Sequence, residues 1–403
     1  MFKILHTGDI HARDKDIDEV KKCLAFIVET ARKEEPGLIV DAGDTVDSQN
    51  IKLDSASAKL IFEVFSQLAD IAPVAVVTGT PLHDGHAVEV LKHVKARYPV
   101  HVATRPEQIF LRQGNFISNV DPDDWIADAH DAIISFVPTP TKQFFNVGSI
   151  EHSDQGIAGA MAPMFAGFGA AAADYDCPHI LIGHFQTKGA RVSNGQTLIG
   201  RDIEISRDHL SLANADLICL AHIHMAQEFM PGGFFCGSVY RENHGETEAK
   251  GFYVHHLGWA DEGRYSVMSD FIETPAKKLF SEKISLVDGT DSITLKSVPL
   301  DEIEGASVKI DVEVWQDEAD SVDLEDVKQH YLAEGAESVT VNLVRKPREN
   351  VRSQKIMELQ SLRDKVRERA LLNREEVSED ILTMCDRLES ESPEDIIKAV
   401  AAG

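Results

Sequence analysis

Seven side chains in this 403-residue sequence are of types that bind metals or move protons, and each lies close behind an apolar run. Asp9 and His11 flank Ile10. In an extended chain, positions two apart face the same way, so both could grip one ion while Ile10 turns to the core. Asp44 follows a permissive Gly43. One carboxylate with two oxygens suits a bridge between ions about 3.5–4 Å apart. His83 lies in Gly79-Thr80-Pro81-Leu82-His83-Asp84-Gly85. An imidazole in such a loop could stabilise a pentacovalent phosphate or protonate a leaving oxygen. Asp84 could orient that ring through its second nitrogen. His184 follows Gly183, and His222 and His224 flank Ile223. Mixed imidazole and carboxylate ligation suits manganese, iron or zinc. A pair of such ions activates water for in-line attack at phosphorus. Each short motif alone is commonplace in loops. What joins them is recurrence, because ligand sites of layered α/β folds lie at the carboxyl ends of strands.

The elements that must position these groups alternate along residues 1–270. Ile4–His6, Gly37–Val40, Val74–Val77, Ile133–Val137, Ile180–Ile182 and Leu217–Leu220 read as buried strands. Val20–Ala31, Ser55–Leu68 and Gly156–Asp174 read as helices. Residues 271–347 change character. Ile284–Leu286, Val308–Val314 and Val339–Leu343 alternate with period two around a helical Leu324–Glu334, predicting a small α+β module. A basic connector with Arg345, Lys346, Arg348 and Arg352 surrounds Pro347. Residues 348–403 read as helical, with Ile356, Leu359, Leu362, Val366 and Ala370 on one stripe. Ser392 before Pro393 predicts a further helix start.

Composition narrows the class. No apolar run reaches the roughly 18 residues of a membrane span, and the N-terminus enters a strand pattern at once, so a cytoplasmic protein is expected. The five cysteines are dispersed without a CxxC pair, which disfavours a disulfide framework or thiolate zinc site. The formal charge of −27 opposes tight DNA binding by the chain alone, since such affinity rests on Lys and Arg. Bound cations or a basic partner would offset it.

The order Asp-x-His, Gly-Asp, His-Asp, Gly-His, His-x-His resembles the calcineurin-like metallophosphoesterases. Ile182-Gly183-His184-Phe185, Ala221–Gln227 and Cys236-Gly237-Ser238-Val239-Tyr240-Arg241, followed by Glu246 and Lys250-Gly251-Phe252, are similar to the SbcD-type nuclease subunits of double-strand-break repair complexes. The resemblance implies a four-layer α/β/β/α sandwich over 1–270, a capping module over 271–347 that guides DNA, and C-terminal helices over 348–403 that dock on an SbcC-like coiled-coil ATPase. It implies that Asp9, His11 and His224 hold one manganese, that His184 and His222 hold the other, that Asp44 bridges, and that His83 is catalytic. A homodimer follows from the same source, with Ser55–Leu68 and Gly85–Val94 as the segments where an apolar patch is expected. Two positions depart from the pattern. The family's Gly-Asn-His-Asp is replaced by a loop two residues longer with no Asn, leaving Thr80 as a weak substitute ligand. Asp47 stands where the family often has a His tied to exonuclease action, which shifts the expected balance toward endonuclease action. Two other readings remain: a small-molecule or nucleotide phosphodiesterase on this scaffold, and a non-catalytic scaffold for an SMC-like ATPase.

Overall fold

The computed structural model describes residues 1–118, 130–141, 154–193, 196, 203–260, 264–287, 300–347, 356 and 358–392. Strands β1 (Phe2–Thr7), β2 (Leu38–Asp41), β3 (Val74–Val77) and β4 (Val100–Ala103) run parallel through one sheet. β5 (Glu107–Arg112), β6 (Asn115–Ile117), β7 (Ala132–Val137), β8 (His179–His184), β9 (Leu217–Ala221), β10 (Gln227–Met230) and β11 (Gly233–Phe235) form a second sheet of order β10-β11-β9-β8-β7-β5-β6. The long hairpin β12 (Gly251–Ala260) and β13 (Arg264–Glu273) extends the first sheet, giving β13-β12-β1-β2-β3-β4. The helices there are α1 (Ile17–Glu34), α2 (Ala56–Ala69), α3 (Asp154–Ala172) and α4 (Arg207–Ser211).

Side-chain alternation builds the layers. On β1, Ile4 faces the second sheet, where it joins Leu38, Val40, Ile134, Ile180, Ile182 and Leu217 in a core between the sheets. Leu5 faces the other way, onto a core shared with Ile39, Val74 and the inner stripes of α1 and α2. On α1 that stripe is Val20, Cys23, Leu24, Ile27, Val28 and Ala31, the three-and-four spacing of one helix face. Ser55 caps α2 by accepting the Ala58 N–H at 3.1 Å. Behind the second sheet, Leu181, Ile218 and Leu220 pack on Met161 and Phe165 of α3 and Leu210 of α4. The result is the expected helix, sheet, sheet, helix succession. Burying each Leu, Ile or Val contributes about 1.5–3 kcal/mol before entropy is counted, so these three cores hold the strand tips rigidly.

β14 (Leu279–Ser285), β15 (Ser307–Trp315) and β16 (Ser338–Lys346) form a third sheet, with α5 (Leu300–Ile303) and α6 (Leu324–Ala333) between strands. α7 (Leu362–Asn373) and α8 (Glu379–Ser390) end the described chain. By contact density the chain divides into two compact units: residues 1–282, 297–309 and 328–340, and residues 283–296, 310–327 and 341–403. In the second unit Glu313 pairs with Lys283 and Lys346, and Arg363 of α7 pairs with Glu379 and Asp386 of α8.

Several sequence expectations need correction. The apolar stripe from Ile356 is not one continuous helix: Leu359 lies in irregular chain, and α7 begins at Leu362 behind a Ser361 cap. Arg348, Arg352 and the helix start at Pro393 lie outside the described residues. The large exposed apolar side chains near the segments expected to form a patch are Leu53 and Leu82, which flank Ser55–Leu68 and Gly85–Val94 without belonging to either. All five cysteines are buried and unpaired. Among the described residues no helix is long and apolar enough to cross a membrane.

Candidate metal centre

The loops after β1 and β2 are zipped by backbone hydrogen bonds: Asp9 N–H to Gly43 O (2.9 Å), His11 N–H to Asp44 O (2.9 Å) and Ala12 N–H to Thr45 O (3.1 Å). This pairing bends both chains sharply. Asp9, His11 and Asp44 have φ of 46°, 43° and 54°, and His222 has 94°. Non-glycine residues adopt positive φ uncommonly, at a cost of order 1–3 kcal/mol each. Asp9 and His11 therefore do share a site with Ile10 in the core, but not through extended alternation; two left-handed residues place them there. Gly43 (φ 97°) must be glycine, since a Cβ would lie 2.8 Å from His184 Nδ1. Gly79 admits no Cβ either, because one would lie 2.2 Å from Asp44 N and Oδ1.

Two groups of side chains converge here, each with donor atoms within 4.8 Å of one another: Asp9, His11 and His224 in one, Asp44, His184 and His222 in the other. Asp44 stands between them, 3.1 Å from His184 Nε2 and 3.9 Å from His11 Nε2. The rings meet in the same pairs, His11 with His224 at 5.1 Å and His184 with His222 at 5.2 Å. His184 donates Nδ1–H to Ala42 O at 2.8 Å, which turns Nε2 to Asp44. His222 N–H donates to both Asp9 oxygens at 2.9 and 3.0 Å. Gln196 clamps the His-x-His loop, accepting from His224 N–H (3.1 Å) and donating to His222 O (2.6 Å).

Electrostatics separate these imidazoles. Burial pulls His184 down, but the Asp44 charge and hydrogen bond prevail and raise its pKa to about 9. Burial likewise opposes the Asp44 carboxylate, yet the charge and hydrogen bond of His184 hold it well below the usual range. Burial drives His11 well below its ordinary value, outweighing Asp44. His11 is thus neutral, and both its ring nitrogens are buried without a hydrogen-bond partner among the described residues. A neutral, unpartnered, buried imidazole beside carboxylates fits a bound cation, since burying polar atoms without partners otherwise destabilises the fold.

The expected orienter of His83 is different from the one observed. Its Nδ1 lies 3.0 Å from the Asp47 carbonyl, and its ring stands edge-on to His11 at 4.6 Å. Asp84 instead accepts three backbone N–H bonds, from Asp44 (2.9 Å), Val46 (3.1 Å) and Gly79 (2.8 Å). It staples the loops after β2 and β3 together, and Asp44 carries the direct contact with the other site groups. Burial and the Asp44 charge raise the Asp84 pKa. Thr80 sits at the second group: its N–H donates to Asp44 Oδ1 (2.5 Å), its hydroxyl to Asp44 Oδ2 (3.0 Å), and that hydroxyl is 3.5 Å from His184 Nε2. His11, Asp47 and His83 form a third group of nearby donors.

Sequence reading assigned no role to Arg13, Gln196, Glu242, Glu246 or Lys250. Glu246 Oε1 is 3.3 Å from His224 Nδ1, and its other oxygen pairs with fully buried Lys250 at 2.7 Å. Glu246 and Lys250 lie in the polar segment Arg241–Lys250, where only the family resemblance that quotes both marks them out.

Paired imidazole and carboxylate groups at the tips of parallel strands define a candidate dinuclear hydrolytic centre. Residues 2–226 match the family described as calcineurin-like phosphoesterase, and the chain belongs to that family of metal-dependent phosphoester hydrolases. No curated protein matches the chain. Among solved structures it is similar to GAP50, the anchor in the inner membrane complex of Plasmodium, at 15% identity and TM-score 0.45, over 68% of this chain and 84% of that one. It is also similar to a dimetal phosphatase from Danio rerio at 12% identity and TM-score 0.39, over 68% and 99%.

Proposed function

We propose that the chain is a manganese-dependent DNA phosphodiesterase, the nuclease subunit of an SbcCD-like double-strand-break repair assembly. The observation that carries the dinuclear reading is the pair of three-residue groups on either side of Asp44. Asp9, His11 and His224 would hold one ion and His184 and His222 the other, with Asp44 between the two groups and Thr80 beside the second. When bound, such a pair supplies an activated water and positive charge for the attacking and leaving oxygens. His83 has its Nδ1 held by the Asp47 carbonyl, so Nε2 is the nitrogen left to face a phosphate or a leaving oxygen. Asp84 keeps Asp44 and the Gly79 backbone in place during turnover.

The DNA and repair-complex parts of this reading are supported by the sequence resemblance beyond the phosphoesterase core and by the C-terminal helices. Ile381, Met384 and Leu388 of α8 are exposed at helical spacing, a stripe suited to a coiled-coil partner. In this reading residues 271–347 guide DNA, and the protein works as a homodimer. The charge of −27 favours a second reading, a phosphodiesterase for small substrates that has no use for a basic DNA track.

One assay separates the two. Cleavage of linear DNA and of an aryl phosphodiester is measured in manganese, with and without a coiled-coil ATPase partner. DNA cutting stimulated by the partner, and lost on deleting residues 350–403 while aryl ester hydrolysis persists, supports the nuclease. Aryl or nucleotide diester hydrolysis with no DNA cutting under any condition supports the small-substrate enzyme. Asp44→Asn is expected to lower either activity at least ~10³-fold, the order of effect of removing a central electrostatic group; wild-type rates in that variant would refute the dinuclear site.

A further inference from the structure

The carboxylate of Glu242 stands beside His11 at the edge of the first group, and one of its two oxygens has no hydrogen bond to account for it. Its Oε1 is buried and has no hydrogen-bond partner among the described residues. That oxygen is 3.8 Å from His11 Nε2, which is also buried and unpartnered. The gap is too long for a hydrogen bond, so neither atom satisfies the other. Metal–ligand bonds of about 2.0–2.2 Å place neighbouring donors on one ion roughly 3–4 Å apart. The Oε1–Nε2 separation is of that size.

We propose that Glu242 is a further ligand of the cation held by Asp9, His11 and His224, binding through Oε1, and that it biases this position toward hard divalent ions. The inference rests on the dinuclear reading above. Two features hold the side chain for this work. Its Oε2 faces Arg13 Nη1 at 3.6 Å, and Arg13 is itself fixed by Asp16 (2.5 Å) and Asp47 (3.4 Å). Its backbone N–H donates to Glu246 Oε2 at 3.3 Å, while Glu246 Oε1 orients His224. One buried carboxylate thus sets the place of two ligands of the same ion. Two carboxylates, Asp9 and Glu242, make the first position richer in oxygen than the second, where Asp44 meets two imidazoles. Oxygen-rich sites favour manganese and magnesium, and imidazole suits zinc.

The test uses the full-length, metal-free protein and manganese(II) alone, with bound and free ion counted by electron paramagnetic resonance and melting followed by calorimetry. Wild type is expected to bind two ions per chain. In Glu242→Gln one class of site weakens at least tenfold and the other is unchanged, with Glu242→Asp between. The metal-free Glu242→Gln protein melts at or above the wild-type temperature, because a buried carboxylate oxygen without a hydrogen-bond partner has been replaced by a neutral amide, and its manganese-induced rise shrinks. A lower metal-free melting temperature with both affinities intact overturns the inference, and makes Glu242 a structural partner of Arg13. Unchanged binding in all variants overturns it as well. Failure of the wild type to bind two ions would instead refute the dinuclear reading itself.

Discussion

Two clusters of buried histidines lie a few residues apart on the same sandwich, and carboxylates reverse the effect of burial in only one of them. His6 on β1 and His255 on β12 face the core between the sheets with Cys219, and His6 Nδ1 lies 3.2 Å from His255 Nε2. His255 completes the pair through Ser269 Oγ at 2.7 Å, and its ring stacks on Tyr253. No carboxylate belongs to this cluster, so desolvation dominates: His6 falls to about 3 and His255 well below its ordinary value. Three residues past His6, the chain turns left-handed and reaches Asp9, His11 and Asp44. There burial is as complete, yet His184 rises to about 9 and His224 also rises, against burial, through Glu246 and Asp9. Burial alone makes an imidazole an inert polar filler. Burial beside carboxylates raises His184 and His224, while His11, lowered by burial like His6, differs from it in having carboxylates around two unpartnered ring nitrogens.

The largest effect that would break this contrast comes from the backbone. A methyl group at Gly79 would overlap Asp44 N and Oδ1. Gly79→Ala is therefore expected to push Asp44 away from His184 and to lower manganese affinity for the second position at least ~100-fold, beyond the range of outer-shell substitutions. The His6–His255 cluster, on other strands, would keep its ring signals. Histidine-selective NMR of the metal-free variant checks the His6–His255 cluster, and counting free manganese by electron paramagnetic resonance checks the affinity; loss of the His6 and His255 signals in the metal-free variant would mean that the two clusters are not independent.

The next effect is electrostatic. In the metal-free protein the folded His184 pKa of about 9 exceeds the ordinary 6.5. The stability this contributes is complete below pH 6.5 and is lost as pH rises toward 9, at up to about 1.4 kcal/mol per pH unit. Denaturant unfolding at successive pH values should show that alkaline decline in the metal-free wild type. It should be smaller in His184→Gln, where the raised His224 remains, and absent in wild type loaded with manganese. A decline that persists unchanged in His184→Gln would assign it to another group.

The sequence exposed this contrast only in part. Strand-end residues of the centre stand out because Asp and His after an apolar run break an obvious pattern, and β1, β2, β3, β7, β8 and β9 are short apolar runs of the buried parallel kind. The hairpin β12–β13 was not legible, since Tyr253, His255, Ser269 and Asp270 interrupt its apolar residues and the pairing is set only by contact with β1. Asp84 was visible, but its three backbone partners come from segments up to 40 residues away. Glu242 was hidden for the same reason: its meaning lies in a distance to His11, 231 positions earlier in the chain. The resemblance supplied the centre's outline, and tertiary proximity alone supplies its supports.

The smallest effect sharpens the comparison from the core side. His6 has a folded pKa of about 3, below the ordinary 6.5, so the unfolded chain takes up its proton first as pH falls. Stability from keeping His6 neutral is complete above pH 6.5 and is lost on acidification toward 3. From pH 6.5 to 5.5 the loss from one such group is about 1 kcal/mol. His179, pushed to about 4 by burial against Ser135, adds a parallel loss. His6→Asn lowers stability overall by leaving His255 short of a partner, so the level of stability is uninformative and the slope is what discriminates. The variant's free energy of unfolding should fall less steeply across that interval than wild type, by about 1 kcal/mol, with manganese present in both so that the centre's own titration is held fixed. An equal slope would mean that water reaches His6 in the folded protein, and the two clusters would then differ in hydration rather than in the presence of carboxylates.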